Sequence, residues 1–206
     1  MVVIMHLGGI PGSGKTYLGK IIKNQYNSLK VVDIDTIKDK YMEKPIEENM
    51  NIMKELVKFN SNKKKTKKQI SLETKYENNF KNYIINKFKS LHEKDEKYVI
   101  VGHFFLFNDM YIDIETNNKV YLNVDNKTLF TRRNNRLLKD FNKNKKYFTS
   151  LIDNGEEFWK YNYLWNFADL KNISEEQKKM KSEYSKNKYK ALNEEQILNL
   201  ISKENI

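Results

Sequence analysis

The sequence predicts an α/β fold in which a parallel β-sheet carries helices on both faces. Three observations lead there. Four short, apolar, β-branched runs alternate with longer stretches of helical periodicity, the pattern of βαβ units. The runs are near-continuously apolar, as strands buried on both faces are. Polar residues gather at or just after the ends of these runs, where parallel sheets bind their ligands.

The elements follow in order. Val2 to Leu7 reads as a buried strand that ends at Gly8-Gly9. A helix runs from Lys15 to about Tyr26, with Leu18, Ile21 and Ile22 on one face. Leu29 to Ile34 is the second strand, after which Asp35 is placed to cap a short helix reaching Met42. Pro45 restarts a helical stretch carrying Ile46, Met50, Met53, Leu56 and Val57. A lysine-rich break from Ser61 to Lys68 precedes a helix over about Gln69–Leu91, whose Tyr76, Phe80, Tyr83, Ile84, Phe88 and Leu91 share a face. Tyr98 to Phe105 and Lys119 to Val124 are the third and fourth strands. Thr128 to Phe141 is helical, and the aromatic stretch Phe158 to Phe167 is expected to pack on the body. Ser174 to Gln177 and Asn193 to Gln196 both have the form of capping boxes. Lys188 to Leu192 suits a short edge strand before a last helix. No internal repeat is present.

The residues between the first strand and the first helix carry chemistry. Gly9-Ile10-Pro11-Gly12-Ser13-Gly14-Lys15-Thr16 meets the pattern G-x-x-x-x-G-K-[ST]. Its glycines let backbone N–H groups turn inward around a phosphate, and the following helix adds the positive end of its dipole. Lys15 supplies a point charge for the β- and γ-phosphates, and the Thr16 hydroxyl suits Mg2+. The expected ligand is a nucleoside triphosphate with magnesium.

Asp33-Ile34-Asp35 follows eighteen residues after Lys15. Read as strand residues two apart, the carboxylates share a face and aim from the strand end at the γ-phosphate. Asp33 would assist magnesium through water, and Asp35 would orient an acceptor hydroxyl and take its proton. An N-cap role for Asp35 and a solvated strand end for Asp33 stand beside that reading. His103, just past the third strand, could touch a substrate, or simply pack. After the fourth strand, Arg132 and Arg136 share a helix face and Arg133 joins Arg136 at i, i+3, which suits an anion clamp, with Asp140 the one nearby acid on that helix; a solvated basic helix with ordinary acidic partners stands beside that reading.

The loop Gly9 to Thr16, followed by Asp33-Ile34-Asp35, resembles the small-molecule and polynucleotide kinase branch of the P-loop superfamily. Shikimate kinases have an Asp-x-Asp at this place. Polynucleotide 5′-kinases and zeta-toxin-like kinases carry an acidic residue there as base. The resemblance covers the first forty residues well and Lys119 to Arg136 loosely. It implies a three-layer P-loop NTPase fold with strand order 2-3-1-4-5, a single domain over 1–206, a helical acceptor-side excursion over 42–97 and an arginine-bearing lid over about 132–155. The implied activity is transfer of the γ-phosphate of ATP to a hydroxyl or phosphate acceptor. A nucleic acid 5′-end kinase, or a nucleotide-binding switch without an acceptor, are the alternatives. Asp109 is a weaker choice for a magnesium-binding carboxylate.

Composition narrows the partners. The 206 residues carry a formal net charge of +11, which suits a polyanionic partner such as nucleic acid. Lys63 to Lys68 is the densest basic run, with a solvated loop tip as its plain alternative. There is no cysteine, so thiolate metal sites and disulfides are excluded. The longest apolar run is too short for a bilayer, and the expectation is a cytoplasmic protein without a membrane partner.

Overall fold

The elements alternate as the sequence implies: β1 (Val2–Gly8), α1 (Lys15–Gln25), β2 (Leu29–Asp33), α2 (Ile34–Glu43), α3 (Glu47–Leu56), α4 (Lys67–His92) and β3 (Lys97–Val101). Then come β4 (Phe105–Phe107), β5 (Met110–Tyr111), β6 (Lys119–Leu122), α5 (Asn126–Lys143), α6 (Leu170–Lys186), β7 (Lys190–Leu192) and α7 (Glu194–Glu204). The computed structural model describes residues 2–56, 58, 65–92, 96–103, 105–107, 110–111, 114–116, 118–143 and 169–204. The aromatic stretch Phe158 to Phe167, the outer part of the expected lid, Lys63, Lys64 and Asp109 lie outside them.

β2, β3, β1, β6 and β7 form one parallel sheet in that order, which is 2-3-1-4-5 when its own strands are counted along the chain. β2 pairs with β3 from Leu29 opposite Lys97 to Asp33 opposite Val101. β7 pairs with β6 from Val120 opposite Lys190 to Leu122 opposite Leu192. β4 and β5 form a separate antiparallel pair. This is the fold class expected from the alternation of runs.

The chain divides into two compact units. The first takes Met1–His6 and Gly19–Asn117. Its core gathers Ile34, Tyr41, Phe80, Ile84, Phe88, Ile100 and Ile114. Phe80, Ile84 and Phe88 recur every four residues, so α4 turns one stripe to that core. Tyr41 meets Phe80 edge-on at 4.8 Å, and burial pushes its phenol up to about 12. The buried face of α3 is Asn49 and Ile52, while Ile46, Met50 and Met53 stay 39–40% exposed. Polar Asn49 is tolerated there because its amide donates to the Tyr41 hydroxyl at 2.6 Å and the Tyr76 carbonyl at 3.1 Å, and accepts from Asn79 at 2.9 Å. β3 stops at Val101, short of the expected Phe105. Gly102 has φ +139, and a Cβ there would meet Ile34 Cβ at 2.7 Å.

The second unit takes Leu7–Leu18 and Asn118–Ile206. Ile10, Leu129 and Ile173 are buried together, with Val124, Phe130 and Met180 against them. Tyr184 stacks on Tyr121 at 5.0 Å and meets Tyr189 edge-on. The Asn193–Gln196 capping box forms as expected, with reciprocal bonds of 3.0 and 2.9 Å. The Ser174–Gln177 box does not: those residues lie inside α6, whose cap is Asp169 accepting from the Asn172 amide at 2.8 Å. Asp169 takes the role because it is the last extended residue before the helical turn, with φ −89 and ψ 132.

Candidate functional site

The loop from Gly9 to Gly14 lies between β1 and α1. The Ser13 amide donates back to the Ile10 carbonyl at 3.1 Å, closing a tight turn. Gly12 and Gly14 stand at φ +84 and +97, where a side chain is strained. Space adds to the requirement: a Cβ on Gly12 would meet Arg133 Cγ at 3.0 Å, and one on Gly14 would meet Arg132 Nη1 at 2.9 Å.

Those arginines come from α5 and hold the loop by its carbonyls. Arg133 Nε donates to the Pro11 carbonyl at 2.9 Å, and Arg132 Nη1 donates to the Ser13 carbonyl. In a planar trans peptide the N–H points opposite the C=O. The Gly12 and Gly14 amides therefore face away from α5, as an anion nest requires. Gly9 donates its amide to the Tyr184 hydroxyl at 2.7 Å. Ser13 is fully buried, and its Oγ has no hydrogen-bond partner among the described residues. Lys15, only 8% exposed, opens α1 and brings the helix dipole to the same place. Thr16 is exposed.

The three arginines divide. Arg132 and Arg136 are exposed, whereas Arg133 is 2% exposed and pairs with Glu176 of α6 at 2.7 Å. The expectation of three guanidiniums in one anion clamp is corrected to this extent, because Arg133 lies buried between the loop and α6. Its neutralising acid is not on its own helix. Asp125 caps α5, accepting from the Thr128 amide at 2.9 Å and its hydroxyl at 2.6 Å. The Thr128 hydroxyl, and then its amide, hold that carboxylate below its ordinary range.

The aspartate pair belongs to the first unit. β2 ends at Asp33, so the two carboxylates do not share a strand face. Asp33, not Asp35, is the N-cap of α2, and its Oδ1 accepts the Asp35 amide at 2.8 Å. Asp35 lies in the first helical turn with a half-exposed carboxylate, 3.5 Å from Lys38 Nζ. His103 follows Gly102 and is partly buried. Sequence reasoning missed His6, buried on β1 with Nε2 3.2 Å from the Gly102 carbonyl. It also missed Tyr184 and Glu176, which no local spacing ties to the loop.

Among the described residues no group of three or more histidines and carboxylates gathers to hold a metal. Magnesium needs only one or two protein oxygens beside phosphate and water. The Thr16 hydroxyl, exposed in the first turn of α1, is a hard donor of that kind. With the Gly12 and Gly14 amides that face away from α5, this donor fits a magnesium nucleotide.

The AAA domain family matches residues 6–147. The chain belongs to that family. The matched AAA domain takes in the phosphate loop, both aspartates and the three arginines, and stops short of α6, β7 and α7. The loop is thus the nucleotide-binding P-loop of an AAA domain. No curated protein matches the chain. Among the described residues no helix is long and apolar enough to cross a membrane.

Proposed function

We propose that this AAA domain is an ATP-dependent phosphotransferase that moves the γ-phosphoryl group to a hydroxyl or phosphate acceptor. The carrying observation is the phosphate loop: the arginine-held carbonyls of Pro11 and Ser13 leave the Gly12 and Gly14 amides facing away from α5, in a loop that runs into the nearly buried Lys15. The family, which includes many kinases, supports the same reading.

Gly9, Pro11, Gly12, Ser13 and Gly14 shape the cradle, and Lys15 neutralises the β- and γ-phosphates. Thr16 and Asp33 would hold magnesium, which would further neutralise the phosphate charge. Asp35 accepts the proton of the acceptor hydroxyl as its oxygen bonds to the γ-phosphorus. The bond from that phosphorus to the bridging oxygen breaks, and ADP leaves. Arg132 and Arg136 reach the transferring group from α5, while Arg133 keeps the loop in shape. His103 contacts the acceptor.

A nucleic acid 5′-hydroxyl as acceptor is the second reading, favoured by the net charge of +11. Labelled ATP with magnesium, offered with nucleosides, nucleotides, sugars and 5′-hydroxyl oligonucleotides, tests both. Label should move to one acceptor class, and Asp35→Asn should stop the movement. Label released only as phosphate, at a rate that neither any acceptor nor Asp35→Asn changes, would overturn the kinase reading.

A further inference from the structure

We propose that α6, beyond the matched AAA domain, braces the phosphate loop, with Tyr184 and Glu176 as positioning residues that set nucleotide affinity. The inference rests on the loop being the nucleotide site. Two independent chains of contact lead from α6 to the loop. The Tyr184 hydroxyl accepts the Gly9 amide at 2.7 Å. Its ring is fully buried, stacked on Tyr121 and edge-on to Tyr189, so the hydroxyl is fixed in place. The closeness is such that a Cβ on Gly8 would stand 2.5 Å from Tyr184 Cε1.

The second chain runs through charge. Glu176 pairs with Arg133 Nη1 at 2.7 Å, and Arg133 Nε donates to the Pro11 carbonyl at 2.9 Å. A buried guanidinium needs a carboxylate to remain buried. Without Glu176, the Arg133 guanidinium loses the carboxylate at its Nη1, and the donor that sets the Pro11 peptide plane is less firmly placed. That plane decides where the Gly12 amide points. The two contacts therefore fix the loop at its first glycine and at its apex. Glu176 and Tyr184 are eight residues apart on α6, about two turns, so they lie on one face of the helix. Gln177, beside Glu176, donates to the Val124 carbonyl and ties the same helix to the segment that leads into α5.

The test compares wild type with Tyr184→Phe, Glu176→Gln, Glu176→Ala and, as a control on the exposed side of α6, Lys178→Ala. Two quantities are read: the Kd for magnesium ATP, and hydrogen exchange of the 9–14 amides in nucleotide-free protein. Tyr184→Phe keeps the ring packing and removes only the hydroxyl. It should speed exchange at Gly9 and weaken ATP binding about tenfold, the effect of losing one buried hydrogen bond. Glu176→Ala should speed exchange at Gly12 and weaken binding at least as much. Glu176→Gln, which keeps an acceptor for Arg133, should recover part of the loss. Lys178→Ala should move neither quantity. A lowered melting temperature with unchanged loop exchange and unchanged Kd would overturn the proposal, since α6 would then only pack. If wild type binds neither ATP nor GTP, the nucleotide reading fails by itself, and the exchange data alone decide whether α6 braces the loop.

Discussion

Lys15 is nearly buried at the first residue of α1, with its charge at the positive end of the helix. The positive end of a helix suits a bound anion, and under the proposed function a triphosphate is that anion. Lys15→Ala should therefore lower phosphoryl transfer by roughly a hundredfold or more, about 3 kcal/mol of transition-state stabilisation. Turnover measured beside a thermal melt checks it. The aspartates separate in the same way. Asp33 caps α2, and asparagine caps as well as aspartate. Asp33→Asn should leave stability alone while raising the magnesium concentration needed for half-maximal turnover. Asp33→Ala should in addition cost about 1 kcal/mol of stability. An Asp33→Asn variant with an unaltered magnesium requirement would confine Asp33 to capping.

At the scale of elements, the start of α6 gives a direct comparison of two caps. Asp169→Ala should destabilise the protein by about 1 kcal/mol, whereas Ser174→Ala, inside the helix, should change the urea midpoint little. The same element shows why some of the structure was legible and some was not. β1, the loop and α1 were readable because their signals are contiguous: a buried run, glycines at fixed offsets and an amphipathic helix. Caps were readable only to within a turn, since several Asp and Ser residues precede each periodic stretch. Hence the cap of α2 moved from Asp35 to Asp33. The end of β3 depended on Ile34 standing where a Gly102 side chain would be, a contact between residues far apart in sequence. The buried face of α3 defied periodicity, because Asn49 finds its partners on α2 and α4. The ion pair of Arg133 was hidden for the same reason, with Glu176 on another helix.

The whole molecule carries +11, and its partner depends on which cations are available to an external anion. In the lysine tract, Lys65 pairs with Glu73 at 2.7 Å and Lys68 lies 3.8 Å from Glu55. Next in α4, Lys75 pairs with Glu48 at 2.8 Å. A lysine already beside a carboxylate releases no phosphate counterion unless it changes partner. On α5, Lys139 and Lys143 are exposed and one turn apart, on the helix that carries Arg132 and Arg136. If a single-stranded oligonucleotide binds, these two should carry more of its salt dependence than the tract does. Each phosphate contact contributes about 0.7 to the slope of log affinity against log salt, so Lys139→Ser with Lys143→Ser should flatten it by about 1.4. Lys65→Ser with Lys68→Ser should change it by much less. Fluorescence anisotropy of a labelled 5′-hydroxyl oligonucleotide over a salt series measures both. The reverse result, a slope lost in the tract variant and kept in the α5 variant, would mean that the tract lysines leave Glu73 and Glu55 for phosphate. No binding at low salt would remove the nucleic acid acceptor. The excess charge would then serve a compact anion, which needs the phosphate loop and the α5 arginines but no extended track.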